Sequence, residues 1–148
     1  MAWGRLLLLV LCVAELSVRA EAQAPSTTHW CAEARPEEPL LRDAGGLANP
    51  DDAGWATSRA VFDIPLIPNA KIDVIRDEAL CRRSAVAYGD HMRSVADERW
   101  TDKPVLVLRV GDMYLVDDQR SRKGVDAYWT VLLFSKDWNV LYTYGGGS

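Results

Sequence analysis

The chain is poor in the residues that carry most redox, metal and acid–base chemistry. It has two histidines, His29 and His91, and three cysteines in 148 residues. No Cys-x-x-Cys pair occurs, so neither a dithiol redox centre nor half of a zinc site is spelled out. There is no G-x-S-x-G turn, and neither histidine stands in a recognisable triad setting. Gly145–Gly147 has no lysine and no following helix, which excludes a phosphate loop. Asp112, Asp117 and Asp118 lack the dense alternating oxygens of a calcium loop and read as an acidic, exposed hairpin end. No cofactor and no metal is expected, and the chain reads as non-catalytic.

A basic excess is also missing. The formal net charge is −4, which argues against nucleic acid or an anionic membrane as partner. Arg120, Arg122 and Lys123 make one small basic patch (a solvated loop in the ordinary reading, a contact for an acidic partner in the functional one). After the first residues no apolar run is long enough to cross a membrane.

Those first residues are the exception. Arg5 precedes the apolar run LLLLVLCVA at 6–14, and small residues follow at spacing two. This is the pattern of a secretory signal peptide, residues 1–22, with Ala20 and Ala22 in the small positions before the cut. Cleavage after Ala20 or Ala24 is the alternative. The expected location is periplasmic or extracellular, and Cys12 leaves with the leader.

Cys31 and Cys81 are then the cysteines left in an exported chain, and they read as one disulfide. Closing a loop of about 50 residues is worth roughly 4 kcal/mol on the loop-entropy model. The bond ties an N-terminal arm, residues 23–60, to the only convincing helix. The arm reads as loop, because Pro25, Pro36, Pro39, Pro50, Gly45, Gly46 and Gly54 interrupt any periodicity. Trp30 beside Cys31, and Trp55, are packing anchors in the ordinary reading.

The helix is expected over 71–88, with Asn69 or Asp73 as its cap and Gly89 as its end. Cys81, Ala85 and Tyr88 fall on one apolar side with Val74, flanked by Ile75, Ala79, Leu80 and Val86. Glu78 and Arg82 make a favourable i,i+4 pair on the other side. From 105 the period changes to two. Strands are expected at 105–110 and 113–118 around a Gly111-Asp112 turn, then at 128–135 and 140–144. Residues 145–148 read as a flexible tail.

The runs Asp77-Glu78-Ala79-Leu80-Cys81, Val107 through Asp117, and Val140-Leu141-Tyr142 resemble a group of small exported bacterial proteins of unknown function. The likeness spans about residues 62–144. It implies a helix-on-sheet domain and brings no catalytic residue.

Together these features predict an α+β fold. One main helix packs on a four-stranded antiparallel meander over 61–144, with the extended arm stapled on by Cys31–Cys81. Both sheet faces carry apolar residues, so the open face is to be covered by the arm or by a partner. The expected role is a protein-binding or accessory module of an exported protein, acting through a sheet face, an edge strand or the aromatics. A small-ligand pocket between helix and sheet is the alternative, and an enzyme ranks last. The surface candidates are Trp55, Arg120, Arg122, Lys123, Trp129 and Trp138.

Overall fold

The computed structural model describes residues 29–34, 39–96, 103–118 and 129–146. The leader and the basic loop residues Arg120, Arg122 and Lys123 lie outside the described residues. In chain order the elements are α1 (Pro39–Leu47), α2 (Ala53–Phe62), β1 (Ile72–Val74), α3 (Glu78–Ala96), β2 (Leu106–Val110), β3 (Met113–Asp117), β4 (Trp129–Phe134) and β5 (Val140–Gly146). The strands form one antiparallel sheet in the order β1-β2-β3-β4-β5. The expectation of one helix on four strands is therefore corrected to three helices and five strands.

The supposed loop of the arm holds two of those helices. Pro39 starts α1 instead of breaking it, since a proline at the first helical position gives up no hydrogen bond. Leu40, Ala44 and Leu47 then recur at helical spacing and are fully buried. Asp52 caps α2, with extended backbone and a carboxylate that accepts the Trp55 N–H at 2.9 Å. Arg59 ties the two helices together. Its Nη2 donates to the carbonyls of Gly46, Leu47 and Asn49 at 3.2, 2.6 and 3.1 Å. The Leu47 carbonyl is one of the acceptors that the end of a helix leaves without an intrahelical donor.

The main helix also starts later and ends later than its sequence pattern implies. Ile72–Val74 is strand, paired with Val110, Arg109 and Leu108 on β2. Alternating β-branched residues suit a pleated edge, and Asp73 meets Arg109 across the strands at 2.8 Å. The helix cap is Asp77, whose Oδ1 accepts the Leu80 N–H at 2.7 Å. Asn69 is a left-handed turn residue, φ 56°. Gly89 is buried inside the helix and has no positive φ. Tyr88 and Met92 carry the apolar stripe past it.

The hairpin lies where the sequence places it. Val110 pairs with Met113, and Gly111 takes φ +59° at the first turn position, as a two-residue loop with glycine first requires. The β4–β5 connection is less conventional. Ser135 donates its N–H to the Asn139 carbonyl, Trp138 donates to the Ser135 carbonyl, and Trp138 sits at φ 64°. A three-residue loop of this kind normally puts glycine at that left-handed position. β5 continues through Gly145 and Gly146, which pair with Thr130 and Trp129, so the expected tail begins two residues too early.

The alternation of the strands now has a use on both sides. Leu106, Leu108, Val110, Met113, Leu115, Val131 and Leu133 face α1 and α2 in one core. Val105, Val107, Val116, Leu132 and Phe134 face α3 in the other, against Cys81, Ala85 and Tyr88. The result is a three-layer α/β/α arrangement, and the helices of the arm cover the face that had been left open. Val86 and Ala79, expected beside the buried stripe, are exposed.

Cys31 and Cys81 form a disulfide with Cα atoms 5.2 Å apart. Trp30–Ala32 lies beside Val105, which donates to the Trp30 carbonyl and accepts from Ala32, both at 2.9 Å. The bond thus joins the edge of the sheet next to β2 to the first turn of α3. Glu78 accepts the Trp30 N–H at 2.7 Å and faces His29 at 3.5 Å. Its carboxyl is held below the usual range, first by the Trp30 N–H. Arg82, its expected i,i+4 partner, lies over the Trp30 ring instead, 5.9 Å from the centroid.

Candidate functional site

The two edges of the sheet differ. On the outer side, β1 is three residues long and carries Asp73 between Lys71 and Arg109, both at 2.8 Å. The Arg109 contact, then that of Lys71, holds the Asp73 carboxyl below its usual range. The segment Trp30–Ala32 occupies the same flank further along. Short length, charge and cover are the ordinary defences of a sheet edge. Among the described residues β5 has none of them. It is seven residues long, VLYTYGG, with no charge and no proline, and no described strand pairs with its outer side.

Over one face of this edge lies a cleft of about 290 Å³ between α1, α2 and β5. Its floor is aromatic because Tyr142 and Tyr144, two apart on β5, point to the same face. Trp55 meets both edge-on, with centroids 6.0 and 5.6 Å away, and the two tyrosine rings stack at 5.7 Å. Polar groups ring the aromatics. Trp55 Nε1 donates to the Asp43 carbonyl at 3.0 Å, and the Tyr144 hydroxyl donates to Asp43 Oδ2 at 2.9 Å. Ser58 Oγ donates to the Tyr142 hydroxyl at 3.3 Å. Asp52 and the exposed Arg42 complete the rim, with Arg42 Nε 3.9 Å from Asp43 Oδ1.

Of the residues singled out in the sequence, Trp55 belongs to this cleft, although it is also a buried member of the core. Trp138 is on the opposite side of the sheet. Its ring stacks on Tyr114 at 4.8 Å, touches Phe134 at 5.5 Å and lies under the Arg83 guanidinium at 5.5 Å. It is not part of the same surface as Trp55. Trp129 opens β4, in register with Gly146. The basic residues Arg120, Arg122 and Lys123 fall outside the described chain.

The histidines are apart. His29 is exposed beside Glu78, and His91 Nε2 is 3.4 Å from Thr143 Oγ1. Asp117 and Asp118, read as an exposed hairpin end, are buried. Among the described residues no three of His, Cys, Asp and Glu come together as a metal would need, and no helix is long and apolar enough to cross a membrane.

Asp43 and Ser58 were not picked out from sequence. Asp43 and Ser58 lay in an arm read as loop. The i,i+2 tyrosines were visible as strand alternation, but the cleft beside them was not. No family model matches the chain, and searches of curated proteins and of solved structures find no match either.

Proposed function

We propose that this chain is a non-catalytic binding domain of an exported protein, and that it takes an extended segment of another protein onto the outer edge of β5. The observation that carries this reading is the contrast between a defended β1 edge and a long, uncharged β5 edge. An unpaired edge offers a row of backbone donors and acceptors, and an added strand satisfies them while side-chain pockets confer choice. The cleft beside Tyr142 and Tyr144 supplies such a pocket. With both sheet faces covered by this chain's own helices, a docked sheet face is the weaker route. The leader pattern and the Cys31–Cys81 bond support export. A small-ligand site is the second reading, favoured by the same cleft, whose volume is at the low end for such sites.

The test is a photo-crosslinking residue at Thr143, exposed on β5, in intact producing cells, with one at Lys71 on the β1 side as control. The expected result is one stoichiometric exported partner captured from position 143 and not from 71. Gly145→Lys, also exposed on β5 and two residues along from the crosslinker, puts a charge on the edge and removes that capture while the far-ultraviolet dichroism stays unchanged. A monomer with no partner, or capture of a second copy of the chain alone, overturns the proposal.

A further inference from the structure

Resting on the strand-addition reading, we infer that the segment taken by β5 carries an aspartate or glutamate beside Thr143. Its carboxylate accepts from His91 and from the Thr143 hydroxyl, and mild acid tightens the grip by charging His91. The placement follows from sheet geometry. Thr143 pairs with Leu132, whose side chain lies in the α3 core, so Thr143 points to that side. The half-buried His91 reaches it from α3, with Nε2 3.4 Å from Thr143 Oγ1. A sixth strand lies about 4.8 Å beyond β5. The Cβ of its residue opposite Thr143 is about 4.5–5.5 Å from that of Thr143, on the face where His91 stands.

Both donors are open to a new acceptor. The 3.4 Å contact is long for a hydrogen bond, so Nε2 exchanges it for a nearer oxygen at little cost. Among the described residues the His91 ring makes no other polar contact. An imidazolium N–H and a hydroxyl both donate, and a carboxylate offers two oxygens that only accept. A lysine in the same place is repelled once His91 is charged. No other charge competes at this edge. Asp90 and Arg93, on either side of His91 in α3, pair with each other. The Tyr88 hydroxyl donates to the Thr130 carbonyl at 2.8 Å. β4 and β5 bring no charged residue. Asp118, just past β3, is buried, already engaged and two strands away from β5. His91 is thus the group facing this edge whose charge changes between about pH 5 and 8. Val95, four residues further on and so on the same side of α3, is 61% exposed. A strand added beside Thr143 covers it as well.

The experiment uses the purified, disulfide-bonded protein and two capped nine-residue peptides of alternating threonine and valine. One has glutamate at its centre and the other glutamine. Binding is followed by calorimetry at about pH 8 and about pH 5.5, on either side of the histidine range. The glutamate peptide is expected to gain about fivefold over the glutamine peptide in the more acidic buffer, the upper end for one partly exposed ion pair. By linkage, the midpoint of the His91 ring titration, read by proton NMR, rises by about 0.7 pH in the glutamate complex. The chain has two histidines, and His29, beside Glu78 on the opposite flank, serves as the internal reference. His91→Gln keeps a donor near Thr143 but takes no charge, so it abolishes the fivefold gain and leaves the glutamine peptide unaffected. Gly145→Lys weakens both peptides. An equal response of the two peptides to pH, or a His91 midpoint that stays in place with the glutamate peptide bound, overturns this inference and leaves strand addition standing. Binding of neither peptide at millimolar concentration overturns the strand-addition reading together with this inference. The ring titration is made on the wild-type protein, so it decides the question even where a variant fails to fold.

Discussion

Two adjacent glycines near the end of α1 should respond to alanine with opposite signs. A Cβ on Gly45 meets no atom within 4 Å. Its only effect is to remove a flexible residue from a helix, a stabilisation of about 0.5–1 kcal/mol. A Cβ on Gly46 lies 2.8 Å from Trp55 Cδ1 and 2.8 Å from Asp52 Oδ2. Carbon atoms pack comfortably at about 3.5–4.0 Å, so something must yield by roughly 0.7 Å or more. Trp55 is poorly placed to yield. Its indole N–H is bonded to the Asp43 carbonyl, its ring is wedged against Tyr142 and Tyr144, and its backbone N–H is held by Asp52. Forcing extra volume into such a site costs about 1–3 kcal/mol. Less the helix-propensity gain, Gly46→Ala should destabilise by about 1–2 kcal/mol. Urea denaturation of the two variants beside the wild type measures both, with the midpoints moving in opposite directions at unchanged slope. The same displacement of Trp55 reaches the cleft lining, so Gly46→Ala should also weaken capture of the partner segment at β5 while Gly45→Ala does not. A Gly46→Ala protein as stable as the wild type would refute the close α1–α2 approach. Equal losses at both positions would refute the open environment of Gly45.

Two further outcomes can be checked separately. Trp138 pays for its stack with a left-handed backbone at φ 64°, and relieving that conformation is worth about 1 kcal/mol. Trp138→Gly and Trp138→Ala both lose the contacts with Tyr114, Phe134 and Arg83, but only glycine relaxes the backbone. Glycine should therefore be the more stable variant by about 1 kcal/mol in thermal or urea unfolding, and the reverse order would discredit the loop geometry. For pH, Asp73 has a folded-state pKa depressed by Arg109 and then Lys71. Its contribution is fully present above the ordinary carboxylate range and is lost as pH falls through that range and below it. Asp73→Asn should thus lower stability at neutral pH and flatten the acid side of the pH–stability curve. A variant curve parallel to the wild type through that window would show that the ion pairs do not matter.

Local chemistry was readable where it was self-contained. The Gly111-Asp112 turn needs only a glycine with positive φ between two alternating runs, and it formed as expected. The stripe of Cys81, Ala85 and Tyr88 needs only the helical period. The errors arose where one residue type has two structural uses. Pro39 can end a helix or begin one, and taken as a breaker it hides the helical spacing of Leu40, Ala44 and Leu47. Ile72, Asp73 and Val74 fit a helical turn as well as a strand, and pairing with residues 108–110 selected the strand. Asp52 and Asp77 were present as acids, but their role as caps depended on where each helix began.

Sequence by itself determined the turn, the buried side of α3 and the presence of two cysteines able to pair. These depend on backbone sterics, periodicity and composition, which act over a few residues. Tertiary structure decided that α1 and α2 cover the second face of the sheet, that β1 and Trp30–Ala32 share one flank, and that β5 is left as the uncharged edge. It also brought Asp43, Trp55, Tyr142 and Tyr144 to one cleft from positions as far as 101 residues apart. Strand order and burial are properties of the whole chain, because each pairing is chosen against every other segment that competes for the same edge or face.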